Sequence, residues 1–245
     1  MAKPPTYDAL RVALDAQWAV LVPALAAADP AAPSRCAGWT VADLDRHLGT
    51  ITARLGQLVA GAAPGKADTD VAGWAAKLPG LAALADADAH KPEAPSLAAV
   101  VPLVRPVLHA ADPADVVTQR TGTHTVADAV LFRLVESVVH GLDLPTPVPP
   151  HNQAQSIVVR ALAGILVARA PGRSVEVRVP PHVAVQCVEG PRHTRGTPPN
   201  VVECEPLAFV ELCTGRTAWA DAVADGRVRA SGERADLSPW LPLLA

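Results

Sequence analysis

Apolar residues Leu10, Leu14, Trp18, Leu21 and Leu25 recur at helical spacing and predict a helix over residues 7 to 28. Pro23 falls inside it, predicting a kink or a split, and Asp29-Pro30 predicts its stop. The run PSRCAGW (33 to 39) reads as a loop. Thr40 then opens a second helix, from about Val41 to Ala60, ended by Gly61. Residues 68 to 112 read as helical pieces broken at Pro79-Gly80, Pro102 and Pro106. Thr125 opens another helix, from Val126 to about Leu142, which ends before Pro145. The stiff run PTPVPP (145 to 150) separates it from one more helix over 152 to 169, closed by Pro171-Gly172.

The period then changes to two. Val175, Val177 and Val179 alternate, as do Val183, Val185 and Cys187, predicting two strands with a turn at Pro180-Pro181. A third strand fits Val201 to Glu205, short helices fit 207 to 214 and 217 to 224, and GRVRASG (226 to 232) reads as a last strand. Residues 236 to 244 read as a terminal helix. The fold class is therefore α+β, with a boundary between 145 and 175 that gives domains 1–150 and 151–245.

Composition narrows the function classes. Half of the 245 residues are apolar, 18% are charged and the net charge is -3, which suits one large globular domain or two modest ones. Neutralising phosphates needs a basic surface, so nucleic acid is not an expected partner. No apolar stretch reads as long and uninterrupted enough to span a bilayer. The N-terminus MAKPPTYDALRV lacks the apolar core of a signal peptide, which places the chain in the cytoplasm. The four cysteines, Cys36, Cys187, Cys204 and Cys213, form no Cys-x-x-Cys pair and read as free thiols there. Nothing in the pattern specifies an oligomeric state.

Two helices begin with the same four residues, Thr40-Val-Ala-Asp43 and Thr125-Val-Ala-Asp128. Thr as N-cap and Asp three residues later are start signals, which gives a common origin for counting. His47 lies seven residues after its cap; Glu136 and His140 lie eleven and fifteen after theirs. At about 100° per residue these positions point within roughly 80° of one another relative to their caps. Glu136 and His140, at i and i+4, share one helix surface. Two imidazoles and one carboxylate make a catalytic zinc set that leaves a coordination position open. The same helix also allows a plainer reading, in which Arg133, Glu136, Ser137 and His140 form a solvated face opposite Leu131, Leu134, Val135, Val138, Val139 and Leu142.

The run CAGWTVADLDRHL (36 to 48) resembles a signature of the mycothiol-dependent maleylpyruvate isomerase family, within the wider DinB-like four-helix metalloenzymes. VESVVHGLDL (135 to 144) is similar to its second signature. The resemblance implies a DinB-like four-helix bundle with His47, Glu136 and His140 as ligands of a divalent metal, zinc by expectation. LCTGRTAWADAVADGRVRASGERADL (212 to 237) resembles the end of the sterol-carrier-like α/β domain often fused to that bundle. The implied cosubstrate is a low-molecular-weight thiol, mycothiol, and the implied partner a small electrophilic substrate. Metal-held thiolate suits isomerisation or S-transfer, and water in its place suits hydrolysis. The competing expectation is a sterol-carrier-type lipid or small-molecule binder whose bundle is structural or holds a non-catalytic metal.

Arg216 is the candidate catalytic residue, as a guanidinium grip on a substrate carboxylate; a surface arginine at a helix end fits equally. Asp143 is read as orienting a ligand histidine or as a polar helix-end residue. Cys36, just before the first motif, is read as a thiol near the pocket or, in the plainer reading, as a buried or idle one. His90, His109, His124, His151, His182 and His193 lack ligand spacing and read as surface or loop residues.

Overall fold

The computed structural model describes residues 4–191 and 199–244. His193 lies outside them. The chain divides into two compact units, Pro5–Ala154 and the residues from Gln155 onward, so the division falls in the first turn of a helix.

In the first unit, α1 (Tyr7–Ala27), α2 (Val41–Ala60), α5 (Leu97–Ala110) and α6 (Val126–Gly141) pack as a ring, α1 against α5 and α6, and α2 against the same two. This is a four-helix bundle. Its interior is the predicted stripes: Leu10, Leu14, Trp18 and Leu21 from α1, Leu44, Leu48 and Leu55 from α2, and Leu134 and Val138 from α6. Both Thr-Val-Ala-Asp sequences are helix starts. Thr40 accepts from the Asp43 N–H while Asp43 accepts from the Thr40 N–H, a complete capping box; Thr125 accepts from the Asp128 N–H.

α2 lies very close to the lead into α5. A Cβ built on Gly49 would stand 1.9 Å from the Pro95 carbonyl oxygen, and one on Gly56 2.7 Å from Val104. Asp45 on α2 accepts the Leu97 N–H of α5 at 2.9 Å, tying the same two elements. Between them run α3 (Val71–Lys77), a 3₁₀ turn over Leu78–Leu81 and α4 (Ala82–Ala89).

Four expectations for the first unit need correction. Pro102 and Pro106 do not break α5 but sit inside it, four residues apart on its exposed side, where the carbonyls they leave unbonded face solvent. Pro23 is likewise exposed within an unbroken α1. A hairpin of β1 (Val116–Gln119) and β2 (Gly122–Thr125) precedes α6, in a stretch read without strands. Finally, α1 is long and apolar enough to cross a membrane by length and composition alone, an 18-residue window of it having a mean hydropathy of 1.4, although its stripe is buried in the bundle.

The second unit holds most of α7 (Asn152–Arg169) and a four-stranded sheet ordered β4-β3-β5-β6, from β3 (Val175–Val179), β4 (Val183–Cys187), β5 (Val201–Cys204) and β6 (Val228–Ser231). β3 and β5 are parallel and the outer pairs antiparallel. Val175, Val177 and Val179 are buried, as alternation requires. α8 (Pro206–Cys213) and α9 (Trp219–Ala224) connect β5 to β6. The expected terminal helix over 236–244 is only a 3₁₀ turn at Ser238–Trp240. Pro239 and Pro242 supply no N–H for a longer ladder. Instead Leu243 and Leu244 both donate to the Cys213 carbonyl, and the Arg169 guanidinium holds the carbonyls of Pro242 and Leu243.

Candidate metal centre

The loop between α1 and α2 is a tight knot. Ser34 N–H donates to the Trp39 carbonyl, Trp39 N–H to the Cys36 carbonyl, and Cys36 N–H to the Ser34 hydroxyl. Gly38, at φ +81°, supplies the left-handed residue that turns the chain into Trp39. Arg35 N–H donates to the Asp143 carbonyl at 2.7 Å, which fastens the knot to the end of α6. Cys36 and Trp39 are thereby delivered beside two histidines from the bundle.

Those histidines are His47 from α2 and His140 from α6. Their ring centroids are 5.0 Å apart, edge to face. The Trp39 indole lies 5.1 Å from the His47 ring and 6.4 Å from His140, nearly parallel to the latter. Its Nε1–H donates to Asp86 of α4 at 2.9 Å.

His47 is buried, and its Nδ1 has no hydrogen-bond partner among the described residues. An unsatisfied buried polar atom is costly. Burial pushes the His47 pKa well below its ordinary value, and His140, Arg133 and Arg54 push it the same way. The ring is therefore neutral, the form that ligates a metal.

His140 is held from its other side. Its Nδ1 lies 2.9 Å from the Asp143 carboxylate, which is buried. A carboxylate at Nδ1 fixes the proton there and leaves Nε2 as the nitrogen a metal would take. Cys36 Sγ donates to the same carboxylate at 3.2 Å and lies 3.9 Å from His140 Nδ1. Ligand atoms of Cys36, His140 and Asp143 all lie within 4.8 Å of one another, and among the described residues these three, rather than His47, Glu136 and His140 together, form the group close enough to hold a metal ion as they stand.

Glu136 lies one helical turn before His140. Its Oε2 accepts from Arg133, and no hydrogen bond to Oε1 occurs among the described residues. The sequence left a solvated face open for this side of α6, and burial decides against it: Arg133 is 9% exposed and Ser137 fully buried. The geometry thus brings His47 and His140 together and puts Glu136 on the same seam, against a buried guanidinium.

Arg216 belongs to the second unit, where it donates to the Thr214 carbonyl at 2.6 Å. His124, read as a surface or loop residue, is completely buried. Its ring nitrogens bond the Thr121 hydroxyl and the Thr69 carbonyl, and its ring meets Phe132 edge to face. His90, His109 and His151 are exposed and His182 half-buried. Sequence reasoning gave no role to Trp39, Asp86 or Arg133; only the Trp of CAGWT carried a signal. None of the four cysteines is disulfide-bonded, and burial raises the Cys187 thiol to about 11 and the Cys204 thiol to about 12.

Residues 11–145 match the family model described as the mycothiol maleylpyruvate isomerase N-terminal domain, and residues 151–243 match the one described as bacterial SCP ortholog. Two solved structures resemble the whole chain, the mycothiol-dependent maleylpyruvate isomerase and a histidine-to-alanine variant of it. Each has a TM-score of 0.60 and 14% identity, and covers 93% of this chain and 93% of its own. Likeness at that identity is likeness of fold. No curated protein matches the chain significantly.

Proposed function

Because the chain belongs to the mycothiol maleylpyruvate isomerase N-terminal domain family, we propose that it is a metal-dependent enzyme that uses a low-molecular-weight thiol on a small electrophile. His47, Glu136 and His140 would hold the metal, zinc by the chemistry of two imidazoles and a carboxylate. The observation that carries this reading is the buried His47 Nδ1 without a partner, beside a second imidazole already oriented by a carboxylate. These residues fit a divalent ion: one neutral histidine, one histidine with its proton fixed on the far nitrogen, and a glutamate with an oxygen to spare.

Zinc and mycothiol, when bound, would supply a thiolate nucleophile at neutral pH, able to add reversibly to an activated double bond or to displace a leaving group. The chain's own residues prepare that chemistry. Asp143 holds the His140 proton at Nδ1 and aims the opposite nitrogen. Arg133 fixes the Glu136 carboxylate by one oxygen. Trp39, pinned by Asp86, shields both imidazoles from water on one side. Arg216, in the second unit, is proposed as a grip for an anionic group.

Metal content and thiol dependence test this. Wild type should carry one zinc per chain and the His140→Ala variant none; metal-free wild type would overturn the metal. Turnover of a maleylpyruvate-like electrophile should require added thiol, and turnover indifferent to thiol would overturn its role. The match of residues 151–243 favours one second reading, a sterol-carrier-type binder. Saturable binding of a fluorescent fatty acid by a thiol-inactive, metal-free protein would support it.

A further inference from the structure

Beyond the histidine pair, the α2–α6 seam continues into a cavity of about 90 Å³. That is roughly the liquid volume of three waters. The two helices run in opposite directions here. Arg54 lies two turns after His47 on α2, and Glu136 and Arg133 lie one and two turns before His140 on α6. Most of the lining is apolar and includes Leu58 and the Trp74 and Phe132 rings, which stack at 4.5 Å.

The polar part of the lining carries excess positive charge. Arg54 and Arg133 both line the cavity, with Glu136 as the one carboxylate. Asp88 pairs with Arg54 from outside at 3.1 Å but is shared with Lys91 at 2.7 Å, so three cations face two carboxylates. Arg133 spends Nη1 on Glu136, while its buried Nε has no partner. A guanidinium has five N–H donors in a planar fork that matches a carboxylate, so most of this group's capacity is unused.

We propose that this cavity is a binding subsite for a carboxylate on a short apolar chain. Arg133 and Arg54 take the acid end, and the stacked rings accept the hydrocarbon. The volume suits about three or four carbons, and the apolar lining disfavours a second charge. The inference rests on the reading above for the ligand's reacting end, and on the cavity alone for its acid end.

The test is titration with butyrate, which has no double bond to react, followed by NMR at the Trp74 indole N–H. Butyramide and succinate are the controls, and the protein is used as purified and after chelation. Arg54 is half exposed, and Lys91 keeps the buried Asp88 paired in Arg54→Gln. Butyrate should shift the signal saturably in both preparations, with butyramide and succinate at least tenfold weaker. Arg54→Gln should weaken butyrate about tenfold, the loss of one charged hydrogen bond. Butyramide equal to butyrate, or butyrate indifferent to Arg54→Gln, would overturn the subsite. Binding that disappears with the metal and ignores Arg54 would put the anion on the ion and also overturn it. Butyrate binding kept without metal supports the subsite even if the metal reading fails.

Discussion

At His140 one hydrogen bond decides which nitrogen is available. The Asp143 carboxylate takes Nδ1, so the opposite nitrogen faces any ion held with His47. Asp143→Ala should therefore lower zinc affinity by about 10- to 100-fold, the usual cost of losing such a partner. Competition with a chelating dye measures this, and unchanged affinity would sink the positioning role. Cys36 provides a sharper test, because Cys36, His140 and Asp143 are a rival ligand group. In the His47, Glu136 and His140 arrangement, Cys36→Ser keeps one zinc per chain and His47→Gln loses it. X-ray absorption of the thiol-free protein should then show zinc with nitrogen and oxygen neighbours and no sulfur near 2.3 Å. A sulfur neighbour that disappears in Cys36→Ser would reverse the assignment.

The elements that carry these residues depend on a close approach. Gly49 lets the Pro95 carbonyl sit where a Cβ would be, so Gly49→Ala must push α2 away from the start of α5. We expect a loss of about 1–3 kcal/mol, the usual range for overpacking. Urea unfolding would report it, and a neutral result would mean the two elements separate freely. The starts of α2 and α6 were legible because Thr and Asp cap locally, and the stripes were legible because one face of each helix is buried. The candidate ligands could be listed from spacing, and Asp143, three residues after His140, was legible as an orienting carboxylate. Trp39 and Asp86 were not: they reach the site through tertiary packing, and Ser34, Arg35 and Gly38 show why, since a loop knot fastened to α6 has no periodicity to read. The β1–β2 hairpin escaped for a related reason, since its four-residue strands offer too few alternations, and its buried His124 is polar by sequence.

For the whole molecule, the buried histidines set the response to acid. Desolvation lowers the His124 pKa, opposed in part by its bond to the Thr69 carbonyl, and lowers that of His47 much further. In the unfolded chain both titrate near 6.5. Between the folded and unfolded values the unfolded state binds more protons, so stability rises with pH across that window. The contribution is complete above about pH 6.5 and is lost as pH falls below it. With metal removed by chelator, Tm should be flat from pH 8 to 7 and should decline from about pH 6.5 downward. His124→Gln removes one of the two groups and should flatten that decline without shifting its onset upward. Zinc competes with protons for His47 alone, so added zinc should reduce the acid loss in wild type and in His124→Gln alike. A wild-type Tm constant from pH 7 to 5 would show that neither histidine is buried neutral, and with that the orphan nitrogen supporting the metal site would lose its force.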